Sequence, residues 1–270
     1  MAINPFDDWW YFYRLDAMSL YFVKSTLEPD EPFLLCPASK VAARAYTFVS
    51  LEYLPYSQHV NGVPEGFDVE LMQECFLRMG EDLTIMLLPW KRAVYMAMNS
   101  YVDGIFGALE TQTRKEKLFF SDPVRVEQIS FFVRKNSKIT FDGDLNKLRK
   151  HSFGVISAFS YGKNLDRFFG NELTTGRVEQ VIDTEMNIAK LIKGRFDILV
   201  GDHFSTMHTL RSLGLQDAVR SLEPPVAENK IYAAFSKERN LDHLRDRFNT
   251  ALQSIREDGT WDKISQKYAD

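Results

Sequence analysis

The chain has 270 residues, of which 45% are hydrophobic and 26% are charged, and its formal net charge at pH 7 is -4. This composition is typical of a folded globular protein with a sizeable core, and it excludes a disordered chain. The mildly acidic balance, without any run of Lys or Arg, argues against a nucleic-acid-binding surface. No apolar run in the sequence reaches the length of a membrane span.

The first 45 residues differ in character from the rest. Acidic Asp7 and Asp8 precede an aromatic run at 9–13, whereas a secretory signal starts with basic residues followed by an uninterrupted apolar segment. A short apolar stretch over 33–38 and an Ala-x-Ala pattern ending at Ala45 nevertheless fit a cleavage site. Two interpretations stay open, a degenerate leader cleaved after Ala45 or a genuine extension, and we favour the leader.

The two cysteines, Cys36 and Cys75, form no CxxC motif and no cluster with histidine. We therefore predict no metal site, and nothing else in the sequence indicates a cofactor. Spacing alone does not decide whether the two cysteines are joined. Cys75 fits the apolar face of a helix, which favours a buried free thiol.

From Tyr46 onward, short apolar strands alternate with amphipathic helices, which predicts parallel βαβ units. In the first half we predict strands over 46–51, 84–88 and 103–107, and helices over 68–79 and from residue 90. Asp68 is predicted to cap the first helix, which stops at Gly80. In the second half we predict strands over 152–156, 178–182 and 197–201, and helices over 162–169 and 185–193.

A weak internal repeat relates the two halves. The segments Asp103 to Gly107 and Asp197 to Gly201 share one pattern, and their offsets agree, since 197 − 103 = 94 and 201 − 107 = 94. Further apolar runs at 129–133 and 231–235 would be two extended crossings between two similar lobes, and such crossings make a hinge. The helical tail over 241–268 would then return to the first lobe.

We therefore predict an α/β protein of two lobes, each a βα sandwich. The first lobe would comprise 46–133 together with 229–270, and the second lobe would comprise 134–228. Two crossing strands would join the lobes as the hinge.

Side chains suited to a zwitterion are predicted to gather at the carboxyl ends of the strands, where open α/β sheets bind ligands. Arg114 offers a planar pair of donors to a carboxylate, and Asp202 offers acceptors to an ammonium group. Tyr53 and Trp90 offer flat aromatic faces. The full set of candidate ligand-binding residues is Tyr53, Trp90, Ala108, Glu110, Arg114, Ser160 and Asp202.

Each candidate also has a purely structural interpretation. Asp202 can cap the helix that begins at His203, and Glu110 can form a structural ion pair with Arg114. Phe159 is more typical of a core residue than of a ligand contact. The convergence of the candidates on one cleft favours the functional interpretation.

Four segments, in this order, resemble the bacterial extracellular solute-binding proteins of family 3, the periplasmic polar amino-acid-binding components of ABC importers. They are Gly66-Phe67-Asp68, Asp103-Gly104-Ile105 with Arg114 and Phe120-Ser121-Asp122-Pro123, Gly194-Arg195-Phe196-Asp197 through Asp202, and Glu257-Asp258-Gly259-Thr260-Trp261. The resemblance covers about 46–268 and implies the two-lobed periplasmic-binding-protein fold of type II.

Carried over by position, the resemblance implies a role for each of five residues. Arg114 would hold the ligand carboxylate and Asp202 its α-ammonium group. Tyr53 would stack on the ligand, Trp90 would line the wall, and Ser160 would occupy the hydroxyl position of the second lobe.

The chain departs from the family pattern at the ligand. Gly107, Ala108 and Glu110 stand where the family has small hydroxyl residues, and Ala158-Phe159-Ser160 replaces its Gly-Thr-Thr or Gly-Ser-Thr. We therefore expect a drier and more aromatic pocket with an added carboxylate, and an atypical ligand.

On this basis we expect a monomeric periplasmic protein without catalytic activity. It would capture an amino acid or a related small carboxylate in the interlobe cleft and deliver it to an ABC permease in the membrane. One alternative is a ligand-sensing module of the same fold. A less favoured one is an enzyme resembling cyclohexadienyl dehydratases, with Glu52 and Glu110 as acid–base residues.

Overall fold

The computed structural model describes residues 10–14, 20–24, 45–173 and 175–268. The chain divides into two compact units, Met1–Arg44 and Ala45–Asp270. In the first unit, β1 (Trp10–Arg14) pairs antiparallel with β2 (Leu20–Lys24). Both strands fall within the predicted leader. The stretch 25–44, which holds Cys36 and most of the Ala-x-Ala pattern, lies outside the described residues.

The second unit alternates strands and helices, as the hydrophobic pattern predicts. Its strands are β3 (Tyr46–Ser50), β4 (Gln58–Val60), β5 (Val63–Glu65), β6 (Leu83–Leu87), β7 (Gly104–Leu109), β8 (Leu118–Phe120), β9 (Arg125–Arg134), β10 (Phe153–Ile156), β11 (Val178–Val181), β12 (Ile198–Asp202), β13 (Val219–Ser221) and β14 (Ala227–Ser236). Its helices are α1 (Phe67–Met79), α2 (Trp90–Met98), α3 (Gln112–Lys117), α4 (Lys163–Leu173), α5 (Thr184–Ile192), α6 (His203–Ser212), α7 (Asp242–Glu257) and α8 (Thr260–Lys267), with a 3₁₀ turn at Leu145–Leu148.

Eight of these strands form one continuous mixed sheet in the order β11-β10-β12-β9-β14-β7-β3-β6, to which β13 adds by pairing with β9 and β8 by pairing with β14. Strands β4 and β5 form a separate hairpin. In the first lobe, β3 pairs parallel with β6 and β7, and in the second lobe β10 pairs parallel with β11 and β12. The long strands β9 and β14 pair antiparallel with each other over Arg125–Ile129 and Ala227–Ile231. Their other halves join β12 and β7 respectively, so each long strand belongs to both lobes.

The hydrophobic core is divided in the same way as the sheet. One cluster fills the first lobe, where Phe48 packs between Phe76 and Phe235 with ring centroids 5.4 and 5.1 Å away. Two further clusters lie in the second lobe, one including Phe131 and the other Phe132. Because consecutive strand residues point to opposite faces, these neighbours separate the two clusters. The two-lobed fold is as predicted, and the lobe boundaries at 133/134 and 228/229 stay a prediction.

The C-terminal helices return to the first lobe, as the tail pattern predicts. Helix α7 buries Leu244, Phe248, Leu252 and Ile255, which recur at helical spacing on one face. Phe248 meets the ring of Phe235 at a centroid distance of 5.4 Å. Burial of each such aromatic side chain contributes about 2–3 kcal/mol to folding.

The internal repeat has a physical counterpart in the two lobes. The carboxylate of Asp103 accepts a hydrogen bond from the Thr47 backbone N–H at 2.9 Å, and that of Asp197 accepts one from Ser152 at 3.0 Å. In each lobe an aspartate just before one strand therefore anchors the chain at the start of the neighbouring strand.

One local prediction was wrong. Helix α1 begins after Gly66, whose φ of +126 and close approach to the Tyr56 carbonyl leave no room for a Cβ, and Asp68 does not cap it. Arg114 lies on the short helix α3, which Thr111 caps by accepting from the Arg114 backbone N–H at 3.3 Å.

Within the described part of the chain, no helix is long and apolar enough to cross a membrane. The same residues include no group of three or more His, Cys, Asp or Glu placed to hold a metal ion. Cys75 is buried in α1 with a free thiol, as the helical pattern predicts.

Two glycines test how tightly the first-lobe sheet packs. A Cβ on Gly104 would lie 2.2 Å from the Phe48 ring and 2.3 Å from the Ala234 carbonyl oxygen, whereas one on Gly170 of α4 would meet nothing within 4 Å. We expect Gly104→Ala to destabilise the protein by about 3 kcal/mol or more through overpacking. Gly170→Ala should stabilise it by about 0.5–1 kcal/mol through helix propensity. Urea unfolding measures both; equal effects would contradict the packing described for β7.

Candidate functional site

Four of the predicted residues converge where the two lobes face each other. Tyr53 follows β3, Trp90 opens α2 and Arg114 lies on α3, all in the first lobe, while Asp202 ends β12 in the second. All four are buried, with Trp90 and Asp202 only 1% exposed. The two lobes are therefore closed on each other along this line of contact.

The guanidinium of Arg114 is buried, and within the described residues it binds backbone oxygens. It donates to the Leu109 carbonyl at 2.8 Å and, across the cleft, to the Ala158 carbonyl at 3.3 Å. It also lies 5.4 Å from the centroid of the Trp90 ring. Burial lowers the pKa of Arg114 to about 10, and the charge of Asp166 opposes that shift. Arg114 is therefore a buried cation at neutral pH.

Phe159 packs among three aromatic side chains of the cleft. Its ring lies 5.8 Å from Tyr53, 5.9 Å from Trp90 and 5.0 Å from Tyr161, measured between centroids. The preceding residue, Ala158, accepts a hydrogen bond from the Trp90 indole N–H at 3.1 Å. The expectation of a drier and more aromatic cleft fits these contacts.

The carboxylate of Asp202 is already surrounded by protein donors. One oxygen accepts from the Tyr56 hydroxyl at 3.1 Å and from the Ser205 backbone N–H at 2.8 Å, and the other accepts from the Gln128 backbone N–H at 3.1 Å. The bond to Ser205 caps α6, as the structural interpretation of Asp202 predicts. The Asp202 backbone N–H donates to the Tyr53 hydroxyl at 3.3 Å, which is another hydrogen bond across the cleft.

The other three predicted residues, Ser160, Ala108 and Glu110, are engaged with other parts of the protein. The Ser160 hydroxyl is committed to Asp166, which also accepts from the Tyr161 backbone N–H at 2.8 Å. Ala108 is fully buried in β7, opposite Tyr232 of β14. Glu110 forms an ion pair with Lys115 at 3.0 Å, rather than with Arg114, and 35% of its side chain is exposed. Their roles as ligand contacts stay predictions.

A buried charged cluster next to the cleft was not predicted. Arg125 of β9 donates to Asp68 at 2.9 Å and to Glu127 at 3.4 Å, and its guanidinium lies 3.5 Å from the centroid of the Tyr56 ring. Arg125, Asp68 and Glu127 are all more than 90% buried. Tyr56 connects this cluster to Asp202, so it links the hinge strand to the site.

The cluster carries more carboxyl groups than cations. Burial raises the pKa of Glu127 to about 8; Arg125 lowers it, and the charges of Asp202 and Asp68 raise it further. Oε2 of Glu127 has no hydrogen-bond partner among the described residues. Burial also raises the pKa of Asp68, although Arg125 opposes this shift. Because an unpaired buried carboxylate is costly, Glu127 is mostly protonated at neutral pH.

Two bacterial binding proteins are similar to most of the chain in sequence. The histidine-binding periplasmic protein of Escherichia coli strain K12 is 25% identical over 228 residues, which are 81% of this chain and 84% of that protein. The probable amino-acid-binding protein YxeM of Bacillus subtilis is 24% identical over 215 residues, 79% of each chain.

Solved structures share the fold at lower identity. A histidine kinase sensor domain with similarity to periplasmic binding proteins matches with a TM-score of 0.74 and 19% identity, covering 84% of this chain and 96% of that one. The arginine-, lysine-, histidine-binding protein ArtJ from Geobacillus stearothermophilus matches with a TM-score of 0.70 and 19% identity, covering 83% and 94%.

The fold defined by these strands and lobes is that of the two-lobed periplasmic binding proteins. The sequence model of the bacterial extracellular solute-binding proteins, family 3, matches residues 47–270. The chain therefore belongs to that family, as the four motifs indicated.

The raised pKa of Glu127 predicts a specific pH dependence of stability. The folded state holds this proton up to about pH 8, whereas an unfolded glutamate releases it near pH 4.5, so stability falls as pH rises between the two values. Glu127→Gln keeps the shape and removes the titration. We expect the variant to be about 1–3 kcal/mol more stable than the parent at pH 9 and nearly equal to it at pH 5.

Urea unfolding across pH 5–9 measures this difference. Glu228→Gln is the matched control, since Glu228 lies exposed on the neighbouring strand β14. Parallel pH profiles for the parent and Glu127→Gln would contradict a buried, protonated Glu127.

Proposed function

We propose that this protein captures an amino acid or a related small carboxylate in the cleft between its lobes and delivers it to an ABC importer. The buried guanidinium of Arg114 carries this proposal. No carboxylate in the described ranges forms an ion pair with it, and its hydrogen bonds there go to the neutral carbonyls of Leu109 and Ala158. A buried cation that no carboxylate contacts directly is costly, and a ligand carboxylate would compensate it with charge-assisted hydrogen bonds.

The two lobes provide the means of capture. They are joined by β9 and β14, and the contacts of Arg114 and Trp90 with Ala158 reach from one lobe to the other. Opening about the two crossing strands would separate these partners and admit solvent to the cleft. Closure around a bound molecule would then present a surface to the permease.

The ligands for which two relatives are named agree with a ligand of this class. The histidine-binding periplasmic protein and the L-cystine-binding protein TcyA of Bacillus subtilis are both named for an amino-acid ligand. By extension we propose a periplasmic location and action as a binding protein without catalysis. Arg114 would hold the ligand carboxylate and Trp90 would line the wall beside it.

Asp202 is less suited to hold an ammonium group alone. Three protein donors already occupy its carboxylate, which has about four acceptor positions. A ligand ammonium would take the remaining position or displace the Tyr56 hydroxyl. The carboxylate of the ligand is therefore the better-supported half of a zwitterion here.

Arg114→Ala tests the proposed carboxylate site. A thermal-shift screen of amino acids and small carboxylates identifies a ligand, because bound ligand stabilises the folded state in proportion to the logarithm of its concentration over Kd. We expect Arg114→Ala to lower the affinity for that ligand roughly 30-fold or more, which is the usual effect of truncating one partner of a buried charge pair. Isothermal titration calorimetry measures the change.

Arg92→Ala is the matched control, because Arg92 is an exposed arginine on the adjacent helix α2. It should leave the affinity unchanged. Equal affinities for Arg114→Ala and the parent would remove Arg114 from the site.

A further inference from the structure

The segment Ala158–Phe159 occupies the cleft in a way that imitates a small ligand. Its backbone oxygen, the Ala158 carbonyl, accepts from Arg114 at 3.3 Å and from the Trp90 indole at 3.1 Å. Its ring, that of Phe159, lies against Tyr53 and Trp90. One dipeptide thus supplies an oxygen to the buried cation and an aromatic ring to the aromatic wall.

The backbone of this segment is held in an unfavourable conformation. The Phe159 N–H donates to the Ile156 carbonyl at 3.2 Å, which closes a tight turn, and Ala158 has a φ of +61. A positive φ favours glycine and costs free energy in alanine. The contacts of the turn with Arg114 and Trp90 offset that cost only while the lobes are closed.

We propose that Ala158–Phe159 is an internal stand-in for the ligand, and that the ligand is a carboxylate bearing a planar aromatic ring. This inference rests on the proposed function of the cleft and specifies its substrate class. The ligand carboxylate would replace the Ala158 carbonyl on Arg114, and its ring would replace that of Phe159 between Tyr53 and Trp90.

The chemistry favours exchange of the stand-in for such a ligand. A carboxylate can accept two parallel hydrogen bonds from one guanidinium and brings the opposite charge, whereas the neutral Ala158 carbonyl accepts one bond from Arg114 and brings no charge. Tyr53 and Trp90 already accommodate a ring in the Phe159 position. A ligand ring that enters this position therefore restores the packing contacts that Phe159 gives up when it leaves. A ligand without a ring would leave that space unfilled, and this underlies the selectivity.

The stand-in also lowers the apparent affinity of the ligand. Only molecules in which Phe159 has left the cleft are competent to bind, and apparent affinity falls in proportion to their fraction. Phe159→Ala removes the competing ring and leaves a space of matching shape. We expect the variant to bind L-phenylalanine and phenylacetate roughly tenfold or more tightly than the parent does.

Isothermal titration calorimetry on the full chain tests this with paired probes. L-phenylalanine and phenylacetate carry the ring, while L-alanine and acetate carry the same charged groups without it. The variant should gain affinity for the first pair far more than for the second. Equal gains for both pairs, or no gain for either, would overturn the ligand class.

Phe204→Ala is the matched control. Phe204 is likewise a half-buried phenylalanine of the second lobe, and it meets Tyr56 at a centroid distance of 5.9 Å. It should show no gain for the ring-bearing probes. If Phe159→Ala does not fold, Phe159→Leu replaces it and should give a smaller gain in the same direction.

Small-angle scattering of the proteins without added ligand tests the role of Ala158–Phe159 as a stand-in independently of the proposed function. Removal of the Phe159 ring should shift the lobes toward the open state and enlarge the radius of gyration. If no carboxylate bound any variant, the proposed function and the ligand class would fail together. An unchanged radius for Phe159→Ala would overturn the stand-in whether or not ligands bind.

Discussion

The antiparallel pairing of β9 with β14 is the constraint on which the rest of the structure depends. Over Arg125–Ile129 and Ala227–Ile231 the two strands bind each other, and beyond those residues each continues into a different lobe. The same ladder therefore joins two sheets with separate cores. Both lobes take their position relative to the cleft from these two strands, since β12 and β7 are the next strands on either side.

The charged cluster ties this strand pair to the site. Arg125 and Glu127 project from β9 toward the same side, because they are two residues apart on a strand. Arg125 holds Asp68 at the start of α1 and packs on Tyr56, whose hydroxyl binds Asp202 of the second lobe. A movement of the lobes about the strand pair must therefore alter either the contacts of Arg125 with Asp68 and Tyr56 or the hydrogen bond between Tyr56 and Asp202. The Tyr56–Asp202 bond, between two lobes, is the one that can break without leaving a charge unpaired in the core.

Most of the fold could be predicted from periodicity, because burial places apolar residues at a regular spacing in the sequence. Helix α7 shows helical spacing of this kind, and β3 and β12 are short apolar runs. Asp68 could not be assigned correctly, since an aspartate at a helix start is usually a cap and its partner Arg125 is 57 residues away. Glu127 was missed for a similar reason: alternation of Arg125, Glu127 and Ile129 on one strand face usually marks a solvent-exposed face with occasional apolar residues. The charges at 125 and 127 become a signal only when their face of the strand is known to be buried.

The convergence of Tyr53, Trp90, Arg114 and Asp202 on one cleft was predictable, and the filling of that cleft was not. The carboxyl ends of strands indicated Arg114 and Asp202, and the motif spacing agreed, but neither could show that the cleft is filled by the chain's own residues. That outcome depends on Ala158 adopting a positive φ, which sequence patterns disfavour for alanine. A glycine there would hold the same turn without strain and so without any tendency to leave it. With alanine, the turn costs about 1 kcal/mol or more, which its contacts with Trp90 and Arg114 offset in the closed state alone. The closed cleft is thus stabilised by contacts and destabilised by its own backbone, and a molecule supplying the same contacts without that strain has the advantage.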